Sequence, residues 1–373
     1  HKINWPNCCH LVINPYAKMS SLLNSCLRHL ELLVSFNTSN PPRKTKESGI
    51  LDYLESLAFI KPKIDDLGNG SFNVTLSKGS PKYLFNVHLD TVPASENWQT
   101  DPYSLKITDT KAIGLGACDI KSAAACILSV IEEGLDNYAI LFSTDEEAGQ
   151  STCVKRFIES NLAYQGIIVA EPTNNKAVTC HRGIATGTME FSGISGHSSD
   201  SRAMNDSAIH KQTNWSFKAL EIAKVYENHK FESLNGLAFN LGAVQGGIKP
   251  NIIAEYAETK FGFRPLPGQD PYQIFTELNA KSVEGDSKFT SGFIAPSLPA
   301  RGDSKNLKKL ANNLRLEISE PVNFWTEAAL FSEAGHDAIV FGPGDIRNAH
   351  QPNEFVMLKD LSIALEIYKE IIQ

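Results

Sequence analysis

Two histidines and several carboxylates in this sequence stand directly after apolar runs, where a chain leaves a sheet and its side chains become free to do chemistry. YLFNVHLD ends in His88 and Asp90, LFSTDEE in Asp145, Glu146 and Glu147, IIVAEPT in Glu171, and AIVFGPGDIRNAH in His350. A further acid, Asp119, lies in GLGACDIK, a glycine-bearing loop that leads into a helical pattern. His88 and Asp90 are two apart, so on extended chain both side chains point the same way. Imidazole nitrogen with carboxylate oxygen, and no thiolate, is a donor set for Zn²⁺, with Co²⁺ or Mn²⁺ as substitutes. A carboxylate bridging two ions ~3.5–4 Å apart is how many hydrolases hold and activate a water. Glu146 and Glu147 are consecutive and point different ways, so one can ligate while its neighbour handles the proton.

Each of these residues alone has a plainer reading. A histidine at a strand end is commonly a hydrogen-bonded structural group, a lone Asp before a helix is commonly an N-cap, and adjacent glutamates are commonly solvated. Their coincidence at one edge of one sheet shifts the balance. Anions gathered there repel one another and raise each other's pKa values unless cations sit among them. Bound metal is the simplest remedy.

The elements that must position these residues follow from the apolar pattern. Tyr83–Val87, Ile140–Ser143 and Gly166–Ala170 read as buried strands, with helical periodicity over Lys121–Glu133 and Thr152–Asn161 between them. Such alternation predicts a mostly parallel sheet with helices on its faces, and ligands bind beyond the carboxyl ends of its strands. Upstream, a helix from Met19 and a second near Ile50–Ala58 flank the turn-rich TSNPPRKTKESG. After Arg182 the style changes: residues 184–193 alternate, 204–228 are helical, 237–244 and 252–263 are strand-like, and 270–282 are helical again. That βαββα order predicts a small α+β sheet with one open face, inserted into the first domain. A helix near 304–315, a strand Ala338–Phe341 and a closing helix at 357–372 return to the earlier style. The division is therefore 19–182 with 284–373 as one domain and 183–283 as the insert. Residues 1–18, which open with His1 rather than Met, read as an extension outside the chemistry, a native ordered arm being the alternative.

The 373 residues, 42% hydrophobic and 21% charged, suffice for two cores. A net charge of −7 without any Lys/Arg run disfavours nucleic acid and favours a small solute as partner. The seven cysteines are scattered with no CxxC pair, which argues against a disulfide framework and a zinc knuckle and suits a reducing cytosol. No run approaches the ~18 to 20 apolar residues of a membrane span, and no basic-then-apolar leader opens the chain. A cytoplasmic location is expected.

From about Met19 to the carboxyl end, the sequence resembles the co-catalytic metallopeptidase family that includes acetylornithine deacetylase, succinyl-diaminopimelate desuccinylase, aminoacylase and glutamate-releasing carboxypeptidase. NVHLDTVP, GLGACDIK, STDEEAG, VAEPT, HRG, SGHSS, NIIA with FGFRP, WTEA and GPGDIRNAHQPNEF occur in family order. Any one is weak; the ordered set is specific. The resemblance implies a zinc-peptidase-like α/β catalytic domain with an inserted, ferredoxin-like α+β dimerisation or lid domain, and hence a homodimer. It implies that His88, Asp119 and Glu171 hold one metal and Asp119, Glu147 and His350 the other. Asp90 would orient the His88 imidazole, and Glu146 would be the general base. His197, in SGHSS, would reach the partner subunit's site and steady the oxyanion. Arg182, Asn251 and Arg264 match positions that contact substrate, a guanidinium being a natural fork for a carboxylate; for Arg182 a domain-joining ion pair competes. Asp345 and Lys249 are candidates for the far end of the substrate, and Cys118 reads as packing.

The sequence departs from the commonest family pattern at Leu115 and at Lys121-Ser122-Ala123, where relatives carry Arg and Lys-Gly-Gly. The wording of GLG…CDIK, GGIK and FWTEA is similar to the acetylcitrulline deacetylase branch. The implied activity is zinc-dependent hydrolysis of N-acetyl-L-ornithine or N-acetyl-L-citrulline in arginine biosynthesis. Desuccinylation or peptidase activity on the same frame is the enzymic alternative, and a catalytically silent binding relative the distant one.

Overall fold

The computed structural model describes residues 20–160, 162–282 and 285–373; the expected extension at 1–18 lies outside them. At the centre is the strand Tyr83–His88, buried along nearly its whole length. It pairs in parallel with Tyr138–Ser143 on one side and Gly166–Val169 on the other, and the latter pairs in parallel with Ala338–Val340. Strands covered on both faces read as unbroken apolar runs, which is why these were visible in the sequence.

The other edge was not. Lys63–Gly68 and Ser71–Lys78 form a hairpin whose second strand pairs antiparallel with Tyr138–Ser143. Lys63–Gly68 is largely exposed, so its sequence carries no apolar signal. The order across the sheet places Tyr83–His88 between strands that follow it in the chain, a crossover that opens a crevice at the carboxyl ends.

One group of helices covers the sheet through Ser21–Ser35, Lys121–Glu132 and Leu358–Ile372 packed together. Ser20 caps the first, its hydroxyl accepting from Leu23 N at 3.2 Å, and Leu23, Cys26, Leu27, Leu30, Leu33 and Val34 form its buried stripe. In Lys121–Glu132 the run Ala123–Ala125 lets the neighbouring helix approach closely. Thr152–Ile158, Lys305–Asn313 and Ala328–Glu333 contact the sheet as a second group.

The insert is a four-stranded antiparallel sheet in the order Ala238–Gly246, Tyr256–Arg264, Ile184–Ser192, Ser287–Ala295. Trp215 of the helix Ala208–Val225 and Phe275 of the helix Pro271–Asn279 pack with Phe191, Phe261 and Phe263 of the strands. Its last strand carries it to Ala295, beyond the expected limit at 283; an irregularity between Ser291 and Ile294 breaks the alternation that would have marked it. The helical stretch 204–228 divides into Ala203–Asp206 and Ala208–Val225, and the strand-like 252–263 into Ile252–Ile253 and Tyr256–Arg264. Among the described residues, no helix is long and apolar enough to cross a membrane.

Candidate metal centre

His88 is the last residue of its strand, paired beside Ser143, and its ring is almost wholly buried. Its Nε2 lies 3.0 Å from Asp119 Oδ1 and 3.8 Å from Glu171 Oε1. The other oxygen of Asp119 lies 3.2 Å from His350 Nε2, which in turn lies 3.1 Å from Glu147 Oε1. Asp119 therefore faces one histidine with each oxygen, the arrangement a bridging ligand needs. His88, Asp119 and Glu147 offer ligand atoms that all lie within 4.8 Å of one another.

The protonation states show what such a cluster costs. Burial pushes Glu146, Glu147 and Glu171 above the usual carboxylate range, and mutual repulsion adds to it. Burial works against the charge of Asp119 as well, but hydrogen bonds from His350 and His88 hold its carboxyl below that range. His350 is pushed up to about 11 by its bonds to Asp119 and Glu147. Oxygen-rich, compact and partly desolvated, the cluster fits divalent ions, which would neutralise these carboxylates while leaving both imidazoles neutral.

Several residues hold these ligands in place. His88 Nδ1 donates to the Asp90 carbonyl at 2.9 Å and lies 3.5 Å from that residue's carboxylate, which fixes the Nε2 lone pair toward the cluster. Asp90 Oδ2 accepts from Asn40 Nδ2 at 2.9 Å and from Glu147 N at 3.1 Å, tying one ligand's strand to another's loop. Glu354, 2% exposed, accepts the backbone N–H groups of Gly116, Cys118 and Asp119. Glu327 accepts from Ser143 Oγ at 3.0 Å and is pushed up to about 7, chiefly by burial. Asp145 accepts from Thr152 N at 2.8 Å and so serves the first turn of the helix Thr152–Ile158, whose N-cap Ser151 makes no side-chain bond. Sequence reasoning missed Asn40, Glu327 and Glu354. Asn40 lies in a turn-rich stretch, and a lone glutamate shows no sign of burial until its donors are in place.

The cluster forms the floor of a cleft of about 410 Å³ whose other walls include Arg264, Phe293, Phe324, Trp325 and Ile346. A cavity of about 390 Å³ at the opposite end of the sheet, beside Lys82, Tyr138 and Arg315, lacks any such grouping of histidines with carboxylates. Of the substrate-contacting candidates, Arg264 lines the cleft. Arg182 does not: its guanidinium donates to Asn323 Oδ1 at 2.8 Å and to the carbonyls of Asn235 at 2.5 Å and Gly236 at 2.7 Å. That is the domain-joining role, met through carbonyls rather than an ion pair. His197 and Asn251 are exposed beside a short two-stranded antiparallel pairing of distant segments, where His197 pairs with Ile252 and Ser198 N donates to the Asn251 carbonyl at 3.2 Å; neither lines the cleft of its own chain. Lys249 is exposed, and the Asp345 carboxylate is engaged by Arg347. The Cys118 thiol is buried and donates to the Asp345 carbonyl at 3.2 Å, a packing role.

The chain is 44% identical over 362 residues to N-acetyl-L-citrulline deacetylase of Xanthomonas campestris pv. campestris, covering 95% of this chain and 99% of that protein. It is 30% identical over 340 residues to acetylornithine deacetylase of Myxococcus xanthus, covering 84% and 88% of the two chains. In fold it is similar to an M20 family metallo-carboxypeptidase from Sulfolobus solfataricus, with a TM-score of 0.74 at 16% identity over 93% of this chain and 98% of that one. Residues 84–373 match peptidase family M20/M25/M40, and with that match and these relatives the chain belongs to this family.

Proposed function

We propose that this chain hydrolyses the amide bond of an N-acetylated amino acid with a neutral side chain, N-acetyl-L-citrulline ahead of N-acetyl-L-ornithine, releasing acetate and the free amino acid. One observation carries the choice. Every carboxylate lining the cleft, Asp119, Glu146, Glu147 and Glu171, belongs to the metal cluster or its base, and the facing wall is aromatic and apolar around Arg264. Arg264 is placed to pair with an α-carboxylate, while among the described residues lining the cleft no further acid faces the ammonium of ornithine. The 44% identity to an acetylcitrulline deacetylase supports the same choice.

In this reading His88, Asp119 and Glu171 hold one Zn²⁺ and Asp119, Glu147 and His350 a second. The ions would supply a water of pKa near ~7 and polarise the amide carbonyl. Glu146, at the cleft surface beside the cluster, accepts the proton of the attacking water and returns it to the leaving nitrogen, which departs as an amine. Asp90 keeps His88 in its ligating tautomer. The aromatic wall excludes bulk water from the reacting carbonyl.

His197 and Asn251 act on the site of a partner copy. Large apolar side chains exposed on the insert, among them Phe217, Val225, Val244 and Ile248, support a homodimer formed there. The buried free cysteines Cys26, Cys118, Cys126, Cys153 and Cys180 suit a reducing cytoplasm, where arginine biosynthesis would use this activity. Parallel kinetics on acetylcitrulline, acetylornithine, succinyl-diaminopimelate and dipeptides test the assignment. Highest kcat/KM on acetylcitrulline is expected; turnover of dipeptides alone would overturn it.

A further inference from the structure

Asp119, the proposed ligand facing both histidines, is carried by a loop three of whose amides converge on one buried carboxylate. Gly116 takes a positive φ of 76°, and a Cβ there would come within 2.7 Å of Thr91 Cγ2, so this turn needs glycine. The turn aims three amide groups at one carboxylate. Glu354 Oε2 accepts from Gly116 N at 3.1 Å, and Oε1 accepts from Cys118 N at 2.8 Å and Asp119 N at 2.9 Å. The Glu354 carbonyl also accepts from Gly114 N at 3.0 Å. Glu354 follows His350 by one tight turn, in which His350 and Asn353 both have positive φ, 57° and 59°. One buried side chain thus ties the loop bearing Asp119 to the turn bearing His350, beside the pairing of Phe355–Met357 with Lys111–Ile113.

We infer that Glu354 is a positioning residue for the metal centre, a strap that holds Asp119 and His350 at shared coordinating distance, and that loosening it weakens the site containing His350 more than the site containing His88. The argument rests on the metal assignment above. Both sites share Asp119, but His88 and Glu171 stand at strand ends of the rigid sheet and do not depend on the turn at 350–354. Glu147 is held independently through Asp90. Only His350 reaches the cluster from the strapped turn. Groups that orient metal ligands in this way typically affect metal affinity by ~10- to 100-fold.

Glu354→Gln retains the shape and the oxygen that serves Cys118 and Asp119, but turns an NH₂ toward Gly116 N; Glu354→Ala removes all three bonds. The test is Zn²⁺ titration of chelator-stripped, folded protein against a competing chromogenic chelator. Wild type is expected to bind two ions. In Glu354→Gln one ion should bind ~10- to 100-fold more weakly, with the other little changed and kcat lowered at nearly constant KM. Asn353→Gly removes the bond from Gln99 N to Asn353 Oδ1 in the same turn, 3.0 Å long, without touching the strap; it should leave both affinities as in wild type. If Glu354→Ala does not fold, Glu354→Gln carries the comparison. Equal weakening of both ions, or unchanged binding of both, would overturn the inference while leaving the metal assignment standing. Failure of wild type to bind zinc would refute the assignment itself.

Discussion

Glu146 and Glu147 divide two tasks between adjacent positions. Glu147 faces His350 at 3.1 Å, whereas Glu146 has no such partner and lies at the cleft surface. Glu146→Gln keeps the shape but cannot accept a proton, so it should lower kcat by at least ~10²- to 10⁴-fold with zinc content nearly unchanged; assay beside elemental analysis checks both. Another residue, His181, makes a pH prediction clear of the metal. Its Nδ1 donates to the Arg182 carbonyl at 2.8 Å and its Nε2 accepts from Thr326 Oγ1 at 3.0 Å, and burial holds its pKa down, from 6.5 to about 4. The native imidazole refuses a proton that the unfolded chain accepts. Its contribution to stability is therefore complete above pH 6.5 and is lost as pH falls toward 4, by up to ~3 kcal/mol. His181→Gln should be less stable than wild type near neutrality, with the gap in denaturant midpoint narrowing from pH 7 to pH 5. Among the proposed ligands, His88, Glu147 and Glu171 were legible as candidates because they closely follow apolar runs, whereas the roles of Asp119, in a glycine-bearing loop, and of His350 came from the resemblance. Glu354 and Asn40 were not legible, because their work is done on backbone amides and on Asp90, and a sequence shows no amide directions.

Arg182 sits where the insert joins the first domain, and its N–H groups are spent on Asn323 and on the carbonyls of Asn235 and Gly236. Arg182→Met would remove these bonds and the packing of a buried side chain, while the exposed Asn235 and Asn323 could turn to water. A loss of ~1–2 kcal/mol in unfolding free energy is expected, with KM unchanged within error; a raised KM at unchanged stability would return Arg182 to the substrate. The parallel strands and the long helices were readable as elements because burial on both faces or on one stripe imposes a period. The hairpin Lys63–Lys78 and the strand Ser287–Ala295 escaped for the opposite reasons, exposure along much of one strand and an irregularity in the other.

At the level of the whole molecule, His197 and Asn251 stand at an exposed two-stranded pairing away from the cleft of their own chain. If they serve a partner's site, two inactive variants should complement. In a dimer of one Glu146→Gln subunit with one His197→Ala subunit, the second subunit's cleft has its own Glu146 and receives the first subunit's His197. Mixing and reassociating the two should restore activity that neither shows alone; no recovery in a verified heterodimer would confine His197 to another role. The second sheet was legible as a change of pattern after Arg182, but its last strand, Ser287–Ala295, was not, since it follows the helix that looked like the sheet's end.

The most direct test joins metal to chemistry in one titration. Protein stripped by a chelator is supplied with increasing Zn²⁺ while hydrolysis of N-acetyl-L-citrulline is followed. Activity should vanish on stripping and return in step with zinc bound per chain. Full hydrolysis by verified metal-free protein would show that His88, Asp119, Glu147, Glu171 and His350 converge for some other purpose.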